Sequence, residues 1–153
     1  MQLQVLLNPA RTLCGAAGSS KKRVIETAAN FLAEQNNSLN ADELFRNIIE
    51  REQLGSTAIG EGMAIPHCRM KNCSRAIGAL IKLDKPIDFE AIDNQPVDVL
   101  FVLLVPEEEH DQHLKILAEI AGLFSNPAFR DEIRAAGDSQ QMYAIALKHA
   151  QEI

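Results

Sequence analysis

With 153 residues, 46% of them hydrophobic, the chain suits one domain built around a sizeable core and leaves no room for a second catalytic domain. A formal net charge of −6 argues against a nucleic-acid surface, because phosphate backbones are gripped by clustered Lys and Arg. Cys14, Cys68 and Cys73 are odd in number and form no Cys-x-x-Cys pair, so neither a disulfide framework nor a zinc ribbon is indicated, and a reducing cytoplasm fits.

The first residues, Met1-Gln2-Leu3-Gln4, show no basic region leading into an apolar stretch. The longest apolar run, 99–105, falls well short of the ~20 residues of a membrane helix. The expectation is a soluble, unprocessed, cytoplasmic protein without membrane insertion. After a segment ending in Gly15-Ala16-Ala17-Gly18, Ser19 is placed to cap a helix on which Val24, Ala28, Phe31 and Leu32 recur at helical spacing, and Asn36-Asn37 ends it. Lys21-Lys22-Arg23 is the one basic run. It falls at the helix end where the dipole disfavours cations and reads as a solvated face.

Asn40 and Glu43 then form a capping-box-like pair ahead of Leu44, Phe45, Ile48 and Ile49, and Gly55 suits the stop, so Arg51 emerges from that helix's last turn. Residues 76–83 read as a short strand. Residues 97–105, nearly all Val, Leu and Phe before Pro106, read as a central strand covered on both faces. Asp84-Lys85-Pro86 and Asp93-Asn94-Gln95-Pro96 carry turn chemistry between them. Beyond the acidic Glu107-Glu108-Glu109 comes a helix with Leu114, Leu117, Ile120, Ala121 and Phe124 on its apolar stripe. Asn126-Pro127 starts another by the N-cap and N1 rule. A last helix follows Gly137, begun by Asp138 or Ser139 and carrying Met142, Ile145, Ala146 and His149. Strands in the middle with helices on either side imply a single α/β or α+β domain over residues 1–153.

The chemistry concentrates in Gly60-Glu61-Gly62-Met63-Ala64-Ile65-Pro66-His67, downstream of Arg51 in Arg51-Glu52-Gln53-Leu54-Gly55-Ser56-Thr57. A histidine behind a proline of locked φ, preceded by two glycines, has the makings of a held nucleophile. Imidazole titrates near pH 6.5, so His67 would be largely neutral at cytoplasmic pH and able to attack an electrophile through a bare nitrogen. A phosphoryl group is the obvious electrophile, since its transfer needs in-line positioning and positive donors around charged oxygens. Arg51, Ser56, Thr57, Gly60 and Gly62 supply such groups. The same spacing also fits a packing or surface histidine. His113, on the first turn of a helix beside acidic residues, adds a second imidazole that could enter a shared pocket, and His110 reads as a solvated neighbour. His67, Cys68 and His113 lack a recognisable metal-ligand spacing.

Arg51-Glu52, Gly55-Ser56-Thr57, Gly60-x-Gly62, Ala64-Ile65-Pro66-His67 and His113-Leu114 together resemble the fructose/mannitol/nitrogen-type enzyme IIA family of the phosphoenolpyruvate-dependent phosphotransferase system. Ala91-Ile92-Asp93-Asn94-Gln95-Pro96-Val97-Asp98 followed by Leu103-Leu104-Val105-Pro106 is similar to its nitrogen-regulatory branch. The resemblance implies an α/β fold, a single domain whose mixed β-sheet is flanked by helices, with the histidines meeting in a shallow depression and no metal or organic cofactor. It implies that His67 accepts phosphate, as tele-phosphohistidine, from an HPr-like phosphocarrier of the nitrogen type. His113 would assist by hydrogen bonding and Arg51 would stabilise charge, with Ser56, Thr57, Gly60 and Gly62 around the phosphate. It further implies regulation of nitrogen metabolism and potassium homeostasis, with a potassium transporter or a sensor kinase as partner. A free-standing sugar-transport component of the same family, a non-catalytic binding module and a metal-assisted hydrolase stand as alternatives. Cys68 departs from the glycine common after the family histidine; it either narrows the approach to His67 or points away.

Overall fold

The computed structural model describes residues 3–108 and 111–151. Six strands form one mixed sheet: β1 (Thr12–Ala16), β2 (Ala58–Gly60), β3 (Met63–Ala64), β4 (His67–Met70), β5 (Ile77–Ile87) and β6 (Val97–Pro106). The order is β1-β5-β6-β3-β2, with β4 also on β6. β1 runs parallel to β5, β5 antiparallel to β6, and β3 and β4 both parallel to β6. β3 and β4 are thus two pieces of one course along β6, interrupted at Ile65-Pro66. Met63 lies opposite Val99 and His67 opposite Leu103.

The apolar run in β6 is explained by helices on both faces. Val97, Leu100, Val102 and Leu104 pack toward α2 (Lys21–Gln35) and α3 (Ala41–Gln53). Val99, Phe101, Leu103 and Val105 pack toward α1 (Leu3–Leu6), α4 (Asp111–Phe124), α5 (Pro127–Ala135) and α6 (Ser139–Ala150). From Val99 to Val105 alternate side chains of one strand therefore serve two cores, which removes the polar positions a half-exposed strand would show. α5 and α6 are clasped by Glu132, whose carboxylate takes Lys148 Nζ at 2.6 Å and His149 Nε2.

Most helix ends fall where their caps direct. Asn40 Oδ1 accepts the Glu43 amide at 2.9 Å, Asn126 Oδ1 accepts that of Ala128, and Asp138 Oδ1 accepts that of Gln141. Four details differ from the sequence expectation. Ser20, one residue later than Ser19, caps α2 through the Arg23 amide. Asp84-Lys85-Pro86 does not turn the chain; β5 continues through it to Ile87 with a break in register, which absorbs a proline that cannot donate to a ladder. On the apolar stripe of α4, Ile120 and Phe124 are buried and Leu117 and Ala121 pack partly buried beside them as expected, but Leu114 is exposed and Ile116 and Leu123 are buried in its stead. The stretch before Gly18 carries α1, a 3-10 turn at Pro9–Arg11 and β1. Glu109 and His110 lie outside the described residues.

Candidate functional site

The β3–β4 interruption creates the site. Pro66 has no amide hydrogen to offer, yet its carbonyl accepts from Leu103 at 2.9 Å, while the Ile65 amide turns outward to the carbonyl of Thr57 at 3.0 Å. The Ile65 carbonyl receives His67 Nδ1 at 2.8 Å. A carbonyl only accepts, so this pairing puts the proton on Nδ1 and leaves Nε2 with a lone pair.

His67 is half-buried in a depression of about 540 Å³ that Asn47, Arg51, Leu54, Arg69 and His113 also line. Burial holds its imidazole below the ordinary value; the hydrogen bond to Ile65 pushes it up, Arg51 pushes it down and Glu52 pushes it up. The ring of His113, 7% exposed and projecting from the first turn of α4, meets that of His67 edge to face, with centroids 5.3 Å apart at 74°. Arg51 reaches the depression from the last turn of α3, with Nη1 donating to the Gly55 carbonyl at 3.0 Å. Three residues far apart in sequence thus converge.

The other four candidates lie elsewhere. Ser56 Oγ donates to the Phe89 carbonyl at 2.7 Å, and Thr57 is buried with its hydroxyl and amide on the Glu52 carboxylate. Gly60 and Gly62 form the β2–β3 turn with φ of +98° and +78°, beside Asp93, Asp98 and Arg134, at the end of β6 opposite to His67. Their freedom serves a tight turn, and neither lines the depression.

Cys68 is buried in the core under α2 and α3 and also borders the depression, and burial pushes its thiol up to about 12, which keeps it protonated and a poor nucleophile. Sequence reasoning missed Asn47, Glu50, Leu54 and Arg69. Arg69 follows His67 by two positions in a strand and so shares its face, a usable signal. Leu54, 85% exposed at the rim, carried no signal beyond being apolar at a helix end. Among the described residues no cluster of three or more His, Cys, Asp or Glu side chains could hold a metal, and no helix is long and apolar enough to cross a membrane.

A family model described as "Phosphoenolpyruvate-dependent sugar phosphotransferase system, EIIA 2" matches residues 6–149. The chain is 44% identical over 147 residues to a protein of Pseudomonas aeruginosa named nitrogen regulatory protein, covering 96% of each. The crystal structure of nitrogen regulatory protein IIA-Ntr from Neisseria meningitidis superposes with a TM-score of 0.88 at 34% identity, over 95% of this chain and 99% of that one. IIA mannitol from Escherichia coli, at 12% identity, shares the fold with a TM-score of 0.76 over 92% and 98% of the two chains.

Proposed function

From the premise that the chain belongs to the phosphotransferase-system EIIA 2 family, we propose that it takes a phosphoryl group onto His67 Nε2 and acts chiefly as a regulator. The observation that carries this reading is the His67 Nδ1 to Ile65 carbonyl hydrogen bond, which presents Nε2 as the bare nitrogen. The donor is an HPr-like phosphocarrier of the nitrogen type, phosphorylated on histidine. A bond forms between phosphorus and His67 Nε2 as the donor's phosphorus–nitrogen bond breaks. His67 keeps its Nδ1 proton on Ile65 throughout, so no base is needed. Positive charge from Arg51 offsets the equatorial oxygens, and His113 orients the imidazole or the transferred group.

Nitrogen metabolism and potassium homeostasis are the regulated processes in this reading, with the protein acting from the cytoplasm on a sensor kinase or a potassium transporter. What favours the regulatory branch over a sugar-transport component is the run of relatives named nitrogen regulatory protein across most of the chain. Incubation with phosphoenolpyruvate, enzyme I and the carrier, followed by intact mass measurement, tests the chemistry. One acid-labile phosphate is expected on the wild-type protein and none on a folded His67→Ala variant; label on that variant rejects the assignment.

A further inference from the structure

Glu52 is the buried charge that this chemistry leaves unused. It is 6% exposed, next to Arg51 in the last turn of α3, yet directed away from the depression. A buried carboxylate is costly unless paired and hydrogen-bonded, and an apolar side chain of similar size would fill the space at lower cost. Here it is fully engaged. Lys21 Nζ lies 3.0 Å from Oε1, the Thr57 amide donates to Oε1 at 3.2 Å, and the Thr57 hydroxyl donates to Oε2. Lys21 is itself drawn in, its side chain 15% exposed and its ammonium 4.8 Å from the centre of the Phe89 ring. This is where the basic run departs from a solvated face.

The contacts continue to the imidazole. Thr57, held by Glu52 through both hydroxyl and amide, offers its carbonyl to the Ile65 amide at 3.0 Å, and Ile65 offers its own carbonyl to His67 Nδ1 at 2.8 Å. Ser56 pins the same loop by donating to the Phe89 carbonyl and accepting the Ala58 amide. We infer that Glu52, with Lys21 as its counterion and Thr57 as its relay, is a positioning residue that fixes the Ile65 carbonyl and thereby the Nδ1–H tautomer of His67. The inference rests on His67 being the acceptor of phosphate. It gives Thr57, which does not line the depression, a part in the same step: without a fixed acceptor on Nδ1 the proton distributes over both nitrogens and Nε2 is bare only part of the time.

The test uses the unphosphorylated full chain labelled with 15N-histidine. Imidazole nitrogen shifts should show a single neutral Nδ1–H form of His67 in the wild type, a mixture of both neutral forms in Glu52→Gln and Thr57→Val, and the single form again in Thr57→Ser. Phosphoryl acceptance should slow in the first two variants in proportion to the Nδ1–H population lost, roughly 2- to 5-fold, and recover in the third. A merely structural Glu52 would lower the melting temperature and leave the tautomer unmoved. Wild-type imidazole shifts in a folded Glu52→Gln protein overturn the inference; should that variant not fold, Thr57→Val decides by the same reading. Because the spectra need no phosphate donor, failure of phosphorylation would strike the proposed function and not this measurement.

Discussion

His67 and His113 come from a strand and a helix on the same side of the sheet, and their rings meet edge to face at 5.3 Å with His113 almost wholly buried. The contact follows from register. His67 lies opposite Leu103, whose side chain belongs to the core shared with α4, so the first turn of α4 delivers His113 to the flank of the imidazole while leaving the Nδ1 bond to Ile65 undisturbed.

On the proposed reading that geometry makes His113 a partner of the acceptor, so His113→Ala should still take phosphate on His67 but exchange it with the carrier about 10-fold more slowly or worse. Forward and reverse transfer rates with purified phosphocarrier measure this. Wild-type rates in both directions would remove His113 from the mechanism, and complete loss of labelling in a folded variant would make it the principal group.

Packing yields a prediction independent of function. Gly78 on β5 lies under the buried Phe101 ring of β6: a Cβ added there would stand 2.4 Å from Cε1 and 2.5 Å from Cζ. The ring has a packed core around it and cannot simply swing aside, so Gly78→Ala should cost ~1–3 kcal/mol. Thermal unfolding should fall by several degrees and recover in part when Phe101→Leu is added. An unchanged midpoint would show that the two strands slide apart freely.

Much of this is legible in the sequence itself, and the reasons divide cleanly. Asn40, Asn126 and the Val-rich β6 declared themselves because caps and doubly buried strands are local properties of sequence. His67, Arg51 and His113 were legible as candidates by residue type and as a set through the resemblance, since their meeting depends on β4 running beside β6 and on α4 covering it, neither of which periodicity encodes. Ser56, Thr57, Gly60 and Gly62 were of the right chemical types for holding phosphate, but residue type does not disclose direction. Thr57 turns inward to Glu52, and the glycines make a turn at the opposite end of the strand. Leu114 alone of the expected α4 stripe is exposed, because the buried face centres on Ile116, Ile120 and Leu123 and, at ~100° per residue, Leu114 lies on the other side of the helix.

Acid should act on His67 later than on a free imidazole. Burial is the largest influence and holds the folded value below 6.5, so the folded protein binds that proton less readily than the unfolded chain. The sign follows: as pH falls through 6.5 the unfolded state takes up a proton that the native state refuses, and His67 then contributes a loss of stability with acid. Over the same interval the folded imidazole stays neutral and nucleophilic. The His67 titration followed by NMR should have its midpoint below 6.5, and phosphoryl acceptance should persist to that lower pH. A midpoint at or above 6.5 would contradict the burial argument.

On the proposed reading Arg51 has two separable effects, and one substitution exposes both. Its guanidinium stands at the end of α3, tethered to the Gly55 carbonyl and outside both hydrophobic cores, so Arg51→Ala should leave the fold intact by circular dichroism. Loss of a fixed cation beside the transferred group should slow acceptance roughly 10²-fold, the scale seen when one preorganised donor is removed from a developing charge. The same substitution should raise the His67 titration midpoint, because the arginine disfavours a second positive charge nearby. It should not restore the midpoint to 6.5, since desolvation, the larger cause, remains. A slower rate with an unmoved midpoint would mean that Arg51 contacts only the phosphoryl group. A raised midpoint with an unchanged rate would mean that it merely borders the imidazole and takes no part in transfer.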